Sequence, residues 1–464
     1  MAQWPTDPIC RMNHSISRRL MSTRKLVHMS MLIFAFLLPF ITWQEAAGLA
    51  LMALLFNIFI LPRLGADFRK RPTDARDSSI WTGIVIYPSS VLLLVLFYRH
   101  QMHIAAAAWA IMALGDGFAT VVGQTVRGPA LAWNREKSWS GLFGFVVAAT
   151  IGAYALARWT APEMDVQNVL AVSFAAAIVG AAVESLPIRL DDNISVPLVC
   201  GAFMYCAYFI ERSAFWSNWP YLGRRLGMAV AVNLFFTLMA LLIKWVNRSG
   251  AAVGFVLGVA IYLGYGYKSF IVLLAFVVVG SVVTRIGYKK KAAHGIAEAR
   301  GGKRSWREAV ANLLPAAFFS VLAFTTFPQA AFRLALLAAL AEAAGDTTSS
   351  EIGKWLGGRA YLITTLRRVA PGEGGGVSVS GLVAGLIASA FLVALGYALG
   401  LCGPRPVVGA ILALAAAEAG NLFDSVLAAT VERRGLVTNE IVNFAGTAFA
   451  GALALLLALS LRFF

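Results

Sequence analysis

Charge is scarce in this sequence: Asp, Glu, Lys and Arg together make up 13% of its 464 residues, against 59% hydrophobic. So little polar surface excludes a soluble globular domain, and several apolar runs are long enough to cross a hydrocarbon core of about 30 Å. Cysteine is scarce too. Cys10, Cys200, Cys206 and Cys402 lie mostly in or beside apolar segments, with no zinc-like spacing and none of the five histidines clustered near them, so neither zinc nor a disulfide framework is expected. Acidic residues number 23 against 39 Lys and Arg, a formal net charge of +16. In a soluble chain that excess would point to nucleic acid; here the cations sit in short gaps between apolar runs, where they set membrane topology, and no nucleic-acid partner is expected. Residues 1–25 carry Arg11, Arg18, Arg19, Arg24 and Lys25 but no small-residue cleavage site, which predicts an uncleaved first helix.

What is present is a succession of about fifteen apolar segments, starting near residues 26, 45, 81, 103, 141, 168, 194, 226, 250, 268, 312, 330, 379, 405 and 441. The expected fold is an all-α polytopic membrane protein. Basic loops at 62–76 and 285–307 predict a cytoplasmic N-terminus. Fifteen spans then place the C-terminus outside and the loops at 123–140, 188–193, 346–378 and 423–440 inside.

Those loops contain a repeat. GDGFATVVGQTVRG at 115–128 and GDTTSSEIGKWLGG at 345–358 share an opening Gly-Asp and two later glycines at the same spacing. SWSGLFGFVVAA from Ser138 matches SVSGLVAGLIAS from Ser378, Glu184-Ser185 matches Asp424-Ser425, and the Asp191-Asp192-Asn193 turn is paired with Thr438-Asn439-Glu440. Both Gly-Asp motifs face one compartment if two parallel seven-span repeats flank a joining helix near 226–246; an inverted repeat would put them on opposite faces. The expected division is 1–211, a linking segment 212–248 with one helix, and 249–464.

An aspartate ending an apolar helix costs about 2.5 kcal/mol or more to keep ionised near lipid, so Asp116 and Asp346 should meet a cation or a wet cleft, with a divalent metal as the obvious partner. Gly115, Gly117 and Gly123 let backbone approach a ligand, and Arg127, Arg135 and Lys137 follow. The second copy offers Gly345 and the run Gly374, Gly375 and Gly376, with Lys354, Arg359, Arg367 and Arg368 as its cations. Carboxylate, glycine and cation together suggest nucleotide phosphate with Mg2+. Each feature also has a plainer account: small residues pack membrane helices, loop cations fix topology, Glu184 and Asp424 serve as buried carboxylates, and His28 sits at an interface.

The first half, through about residue 211, resembles the phytol kinase and dolichol kinase family in RKLVH at 24–28, GDGFATVVGQTVRG, WNREKSWSG at 133–141 and VESLPIRLDDNISVPL at 183–198. The second half, from about 249, resembles the uncharacterised-domain 92 family, which includes transmembrane protein 19 and plant phytyl-phosphate kinase. The matching residues are SGAAVGFVLG at 249–258, the 284–291 span end, RSWREAVAN at 304–312, GDTTSSEIG, GGVSVSG, and FDSVLAATVER with NEIVNFAG. Glu373 stands where that pattern usually has Thr or Asn.

These resemblances imply a two-step salvage kinase. The first half would phosphorylate a long-chain isoprenoid alcohol from CTP, and the second would convert the monophosphate to the diphosphate, in a lipid bilayer, expected to be the bacterial inner membrane with both sites cytoplasmic. Asp116 and Asp346 would hold Mg2+. Lys137, Arg135, Ser138 and Asn193, or Lys354, Ser378, Asn443 and the 374–376 glycines, would meet nucleotide and phosphate; Glu184, Asp192, Asp424 and Glu440 would act as base or further metal contacts. The alternatives are a cytidylyltransferase of the same superfamily and a lipid-phosphate transporter. Composition fixes no oligomeric state.

Overall fold

The computed structural model describes residues 27–64, 82–126 and 128–463. Arg11, Arg18, Arg19, Arg24, Lys25, Cys10, Arg127 and the loop cations Arg69, Lys70, Arg71 and Arg76 lie outside them. Helices dominate, as an apolar surround demands: a backbone without water must satisfy its own hydrogen bonds.

A helix stands at every apolar segment anticipated. They are α1 (Val27–Leu37), α2 (Trp43–Ile60), α3 (Thr82–Phe97), α4 (Met102–Val126), α5 (Trp139–Thr160), α6 (Val166–Ser185), α7 (Asp192–Ala207), α8 (Arg212–Leu242), α9 (Arg248–Tyr265) and α10 (Tyr267–Arg285). After a short α11 (Tyr288–Ala293) come α12 (Trp306–Thr325), α13 (Gln329–Leu356), α14 (Val379–Ala398), α15 (Pro406–Glu432) and α16 (Asn439–Ser460). Among the described residues, eleven are long and apolar enough by length and composition to cross a membrane, against the fifteen anticipated. Of the others, α1 and α3 are shorter apolar helices, α7 has 16 residues and begins on Asp192, and α13 carries Glu342, Asp346 and Glu351 within its length. The segment between α13 and α14 also departs from the all-α expectation: β1 (Ala360–Leu362) pairs antiparallel with β2 (Arg368–Val369) and β3 (Gly376–Val377), in the order β2-β1-β3.

Contacts divide the chain into two compact units, Met1–Tyr208 and Phe209–Phe464. In the first, α4 is the inner helix; Ala105 to Ala108, Ala110 and Ala113 are buried along it, and such small side chains let neighbouring helices approach closely. One turn of α4, Ile111–Gly115, is π-wound, immediately before Asp116. In the second unit α13 is central, packed by α10, α12, α14, α15 and α16, and almost every side chain from Ala331 to Gly345 is buried. Its neighbour α15 ends in a π-wound turn, Ala428–Glu432. Such turns shift the helical register of the residues downstream and recur where helices carry functional groups.

Candidate active sites

Each unit builds the same corner. In the first, Ser138 caps α5: its hydroxyl accepts from the Gly141 amide at 3.2 Å and lies 3.1 Å from the Ser140 hydroxyl. A Cβ on Gly123 would come within 3.1 Å of that Ser138 oxygen. In the second, Ser378 accepts from the Gly381 amide at 3.1 Å, sits 3.3 Å from the Ser380 hydroxyl, and would lie 3.0 Å from a Cβ on Gly353. Thus Ser138 and Ser378, expected to touch phosphate, satisfy the free amides of a helix start.

The corner brings the first set of polar residues together. Residues 128–138 fold back on themselves, with Ala130 bridged to Ser138 and the Leu131 amide donating to the Lys137 carbonyl at 2.9 Å. The loop is tied to the end of α6, where Trp133 Nε1 donates to the Ser185 hydroxyl and Asn134 Nδ2 to the Ser185 carbonyl. This directs Lys137 Nζ to Glu184 Oε1 at 2.6 Å and Asp192 Oδ2 at 3.1 Å. Glu184 is buried, and its second oxygen, Oε2, has no hydrogen-bond partner among the described residues. Asp116 is close enough for its charge to act on both Glu184 and Asp192. Burial alone would pull the Lys137 ammonium down, but the two carboxylates outweigh it and hold Lys137 above its ordinary value.

Other expectations for this unit change. Gly115, Gly117 and Gly123 lie inside α4, where amides serve the helix. A Cβ at Gly115 would stand 2.6 Å from the Phe145 ring and one at Gly117 2.4 Å from Met29 Sδ, so these glycines are spaces for neighbours rather than a phosphate cradle. Asn193 donates through its backbone N and Nδ2 to Asp191 Oδ1, within the cap of α7. Arg135 is exposed and forms no ion pair among the described residues.

The second unit holds more acid. Glu342 and Asp424 are buried, Asp346 half-buried, one helical turn after Glu342 on α13. Thr447 donates to Glu342 Oε2 at 2.7 Å, leaving Oε1 unpartnered, as are Asp424 Oδ2 and Glu432 Oε2. Glu342 Oε1 and Asp424 Oδ2 converge on Gly446, whose missing Cβ would sit 2.5 Å and 3.3 Å from them. Asp346 acts electrostatically on Glu342, Asp424 and Glu432, and Glu440, in the first turn of α16, acts on Glu432.

Around this cluster, Lys354 lies 3.6 Å from Glu351 and 3.7 Å from Glu298. Lys291 is fully buried, ion-paired with Glu351 and donating to the Thr284 carbonyl at 3.0 Å. Asn443 is half-buried and makes no side-chain hydrogen bond among the described residues. Gly345 is a packing glycine like Gly115, since its Cβ would strike the Ser389 and Asn421 side chains. Gly376 belongs to β3, and Gly375 (φ +72°) turns against Ala429, where a Cβ would come within 2.5 Å; only Gly374, 3.6 Å by the same measure from Glu432 Oε2, borders the acidic cluster. Arg359, Arg367 and Arg368 are exposed around the small sheet.

An integral membrane protein family, DUF92, matches residues 231–451, which include Asp346, Asp424 and Glu440. An uncharacterized membrane protein of Synechocystis is 39% identical over 232 residues, covering 49% of this chain and 89% of the relative. The chain belongs to the DUF92 family. Protein VTE6, chloroplastic, of Arabidopsis thaliana is 32% identical over 238 residues, 49% of this chain and 71% of that protein. Phytol kinase 1, chloroplastic, of the same plant is 29% identical over 208 residues, 40% of this chain and 66% of that protein. No solved structure matches.

Within the DUF92 region, reading by landmarks missed Glu342, Glu432 and the Lys291–Glu351 pair. Glu342 had a signal, standing four residues before Asp346 and so on the same face of a helix. Glu432 and Lys291 lie within the matching stretches FDSVLAATVER and 284–291, but their approach to the cluster was not readable because a π-wound turn and a short helix bring them in.

Proposed function

We propose that the chain is a bifunctional, CTP-dependent isoprenoid salvage kinase, its first unit phosphorylating a prenol and its second the resulting monophosphate, with both sites at the cytoplasmic face. One observation carries this reading: each unit sets buried carboxylates with unpartnered oxygens beside a Gly-Asp helix and one serine-capped corner, and the relatives include proteins named phytol kinases.

The carboxylates fit magnesium. Among the described residues, no three His, Cys, Asp or Glu side chains form a ready-made metal cage, which suits an ion that keeps several waters and uses one or two carboxylates plus substrate phosphates. Asp116 would hold it in the first unit, and Asp346 with Asp424 or Glu342 in the second; when bound, it supplies charge neutralisation along the nucleotide phosphates.

The rest falls to the chain's own residues. In the first unit the prenol hydroxyl attacks the γ-phosphorus, the bond to the β,γ-bridging oxygen breaks, and CDP leaves. Glu184 Oε2, buried and unpartnered, takes the alcohol proton, while Lys137 holds the opposite oxygen of that carboxylate and orients it. In the second unit the acceptor is a phosphate monoester already anionic near neutral pH, so no base is required. Lys354, between Glu351 and Glu298, offers a cation near the cluster.

Membranes given a prenol and γ-labelled CTP test the division of labour. Asp116→Asn should yield no labelled lipid and Asp346→Asn should accumulate monophosphate. Identical behaviour of the two variants sinks it, and label in pyrophosphate instead of lipid would identify a cytidylyltransferase.

A further inference from the structure

Within the second unit a cavity of about 170 Å³ lies between α8, α9, α10 and α12. Its walls are largely apolar, formed by Phe236, Phe270, Leu273 and Val277 among others, with polar groups from Arg304, Glu308 and Ser281 and from Asn233, Thr237 and Asn312. Two of its lining residues, Met239 on α8 and Ile243 just after it, are 41% and 46% exposed, and α8 is the least covered of the candidate spans in the second unit, with 11% of its apolar stretch buried. The cavity therefore opens sideways past α8, toward lipid.

The side of the cavity that carries Gly280 and Arg304 adjoins the acidic cluster. Gly280 lines the cavity, and a Cβ built there would lie 3.7 Å from Thr347 Cγ2, on the residue after Asp346, and 3.8 Å from Arg304 Nη2. Arg304 is half-buried, has no ion-pair partner among the described residues, and acts on Asp346 through its charge. The Arg304 charge acts also on the nearby carboxylate of Glu308, whose Oε2 accepts from the Ser305 amide at 2.8 Å and from its hydroxyl at the start of α12. A guanidinium without an ion-pair partner among the described residues, lining a largely apolar slot beside a helix turn that bears a candidate catalytic aspartate, is complementary to an anionic head on a hydrocarbon tail.

We infer that this cavity seats the prenyl chain of the monophosphate acceptor, entering past α8, with Arg304 receiving the acceptor phosphate. The inference rests on the kinase reading of the second unit and names where that unit holds its lipid. A slot this narrow admits part of a chain, of the order of one small apolar group in an enclosed protein cavity, and the remainder lies in the opening beside Met239 and Ile243.

Gly254 provides the test. It lines the cavity, and a Cβ there meets nothing within 4 Å, so a larger side chain fills the slot without a clash. Gly227, on α8 but away from the cavity, has the same open surroundings and serves as control. Full-length protein in nanodiscs is given CTP, magnesium and either geranylgeranyl monophosphate or dimethylallyl monophosphate. Gly254→Leu should lower kcat/KM for the long acceptor about tenfold or more and leave the short one within about twofold, while Gly227→Leu changes neither; Arg304→Gln should raise KM for both acceptors. A diazirine-bearing prenyl monophosphate, mapped by peptide mass, gives a readout independent of turnover and should label α8 to α10 in wild type but not in Gly254→Leu. Adducts elsewhere, or a Gly254→Leu variant equal to wild type with the long acceptor, overturn the inference and leave the kinase reading standing. Absence of diphosphate from wild type with adducts at the cavity overturns the kinase reading and keeps the site.

Discussion

Lys137 reaches from its loop to Glu184 Oε1 at 2.6 Å, holding one oxygen of a buried carboxylate while the other stays without a partner. Replacing Lys137 with Met removes the cation and leaves Glu184 and Asp192 facing each other. Prenol phosphorylation should fall by about two orders of magnitude, as for loss of a general base's organiser, and unfolding should shift by about 1–3 kcal/mol for an unsatisfied buried charged group. Initial rates with labelled CTP and a thermal melt check both; unchanged rates would remove Lys137 from the site.

The same ion pair sets a pH dependence. Because the folded protein holds the Lys137 ammonium above its ordinary value, its contribution to stability is fully present below the unfolded lysine value of about 10.4 and fades as pH rises through the higher folded one. The difference in melting temperature between wild type and Lys137→Met should therefore shrink as pH rises through the folded lysine value, and shrink again toward acid as the partner carboxylates Glu184 and Asp192 take up protons. A difference that persists undiminished at strongly alkaline pH contradicts this assignment.

Gly115 distinguishes packing from phosphate binding. Gly115→Ala places a methyl group against the Phe145 ring and should cost about 1–3 kcal/mol by overpacking. Phe145→Leu in the same chain should restore much of it, with nucleotide affinity unaltered. Weakened nucleotide binding that Phe145→Leu does not restore would return Gly115 to the phosphate.

Magnesium should stabilise the second unit in the absence of nucleotide. At saturating metal the melting temperature of wild type rises by mass action, and the increment should disappear in Asp346→Asn and diminish in Glu342→Gln, whose Oε1 is one of the unpartnered atoms. An increment equal in all three proteins would place the metal elsewhere.

Much of this was legible in the chain itself. Apolar runs located every long helix, because hydrocarbon tolerates few alternatives, and the Lys137, Glu184 and Asp192 grouping followed from motif order. The short basic helix α11 had no such run, and α13, as continuous as its neighbours, carries acids within its length. The roles of the glycines did not follow: a spacing that suits a phosphate cradle equally suits an aromatic ring set against a helix, and only the position of Phe145 decides between them. The approach of Glu432 and the cavity at Gly254 were hidden because they arise from residues far apart in the chain, or from a widened turn that shifts helical register.

The serine-capped corner bears on how such a chain can diversify. Ser138 and Ser378 close their helix starts with their own hydroxyls, and Gly123 and Gly353 leave room for them, so the same cap stands at both joints. A lysine-bearing hairpin occupies one joint and a three-stranded flap the other, on the same fitting. One helix cap thus serves two different loops, and it is in those loops that the two units diverge around a shared joint.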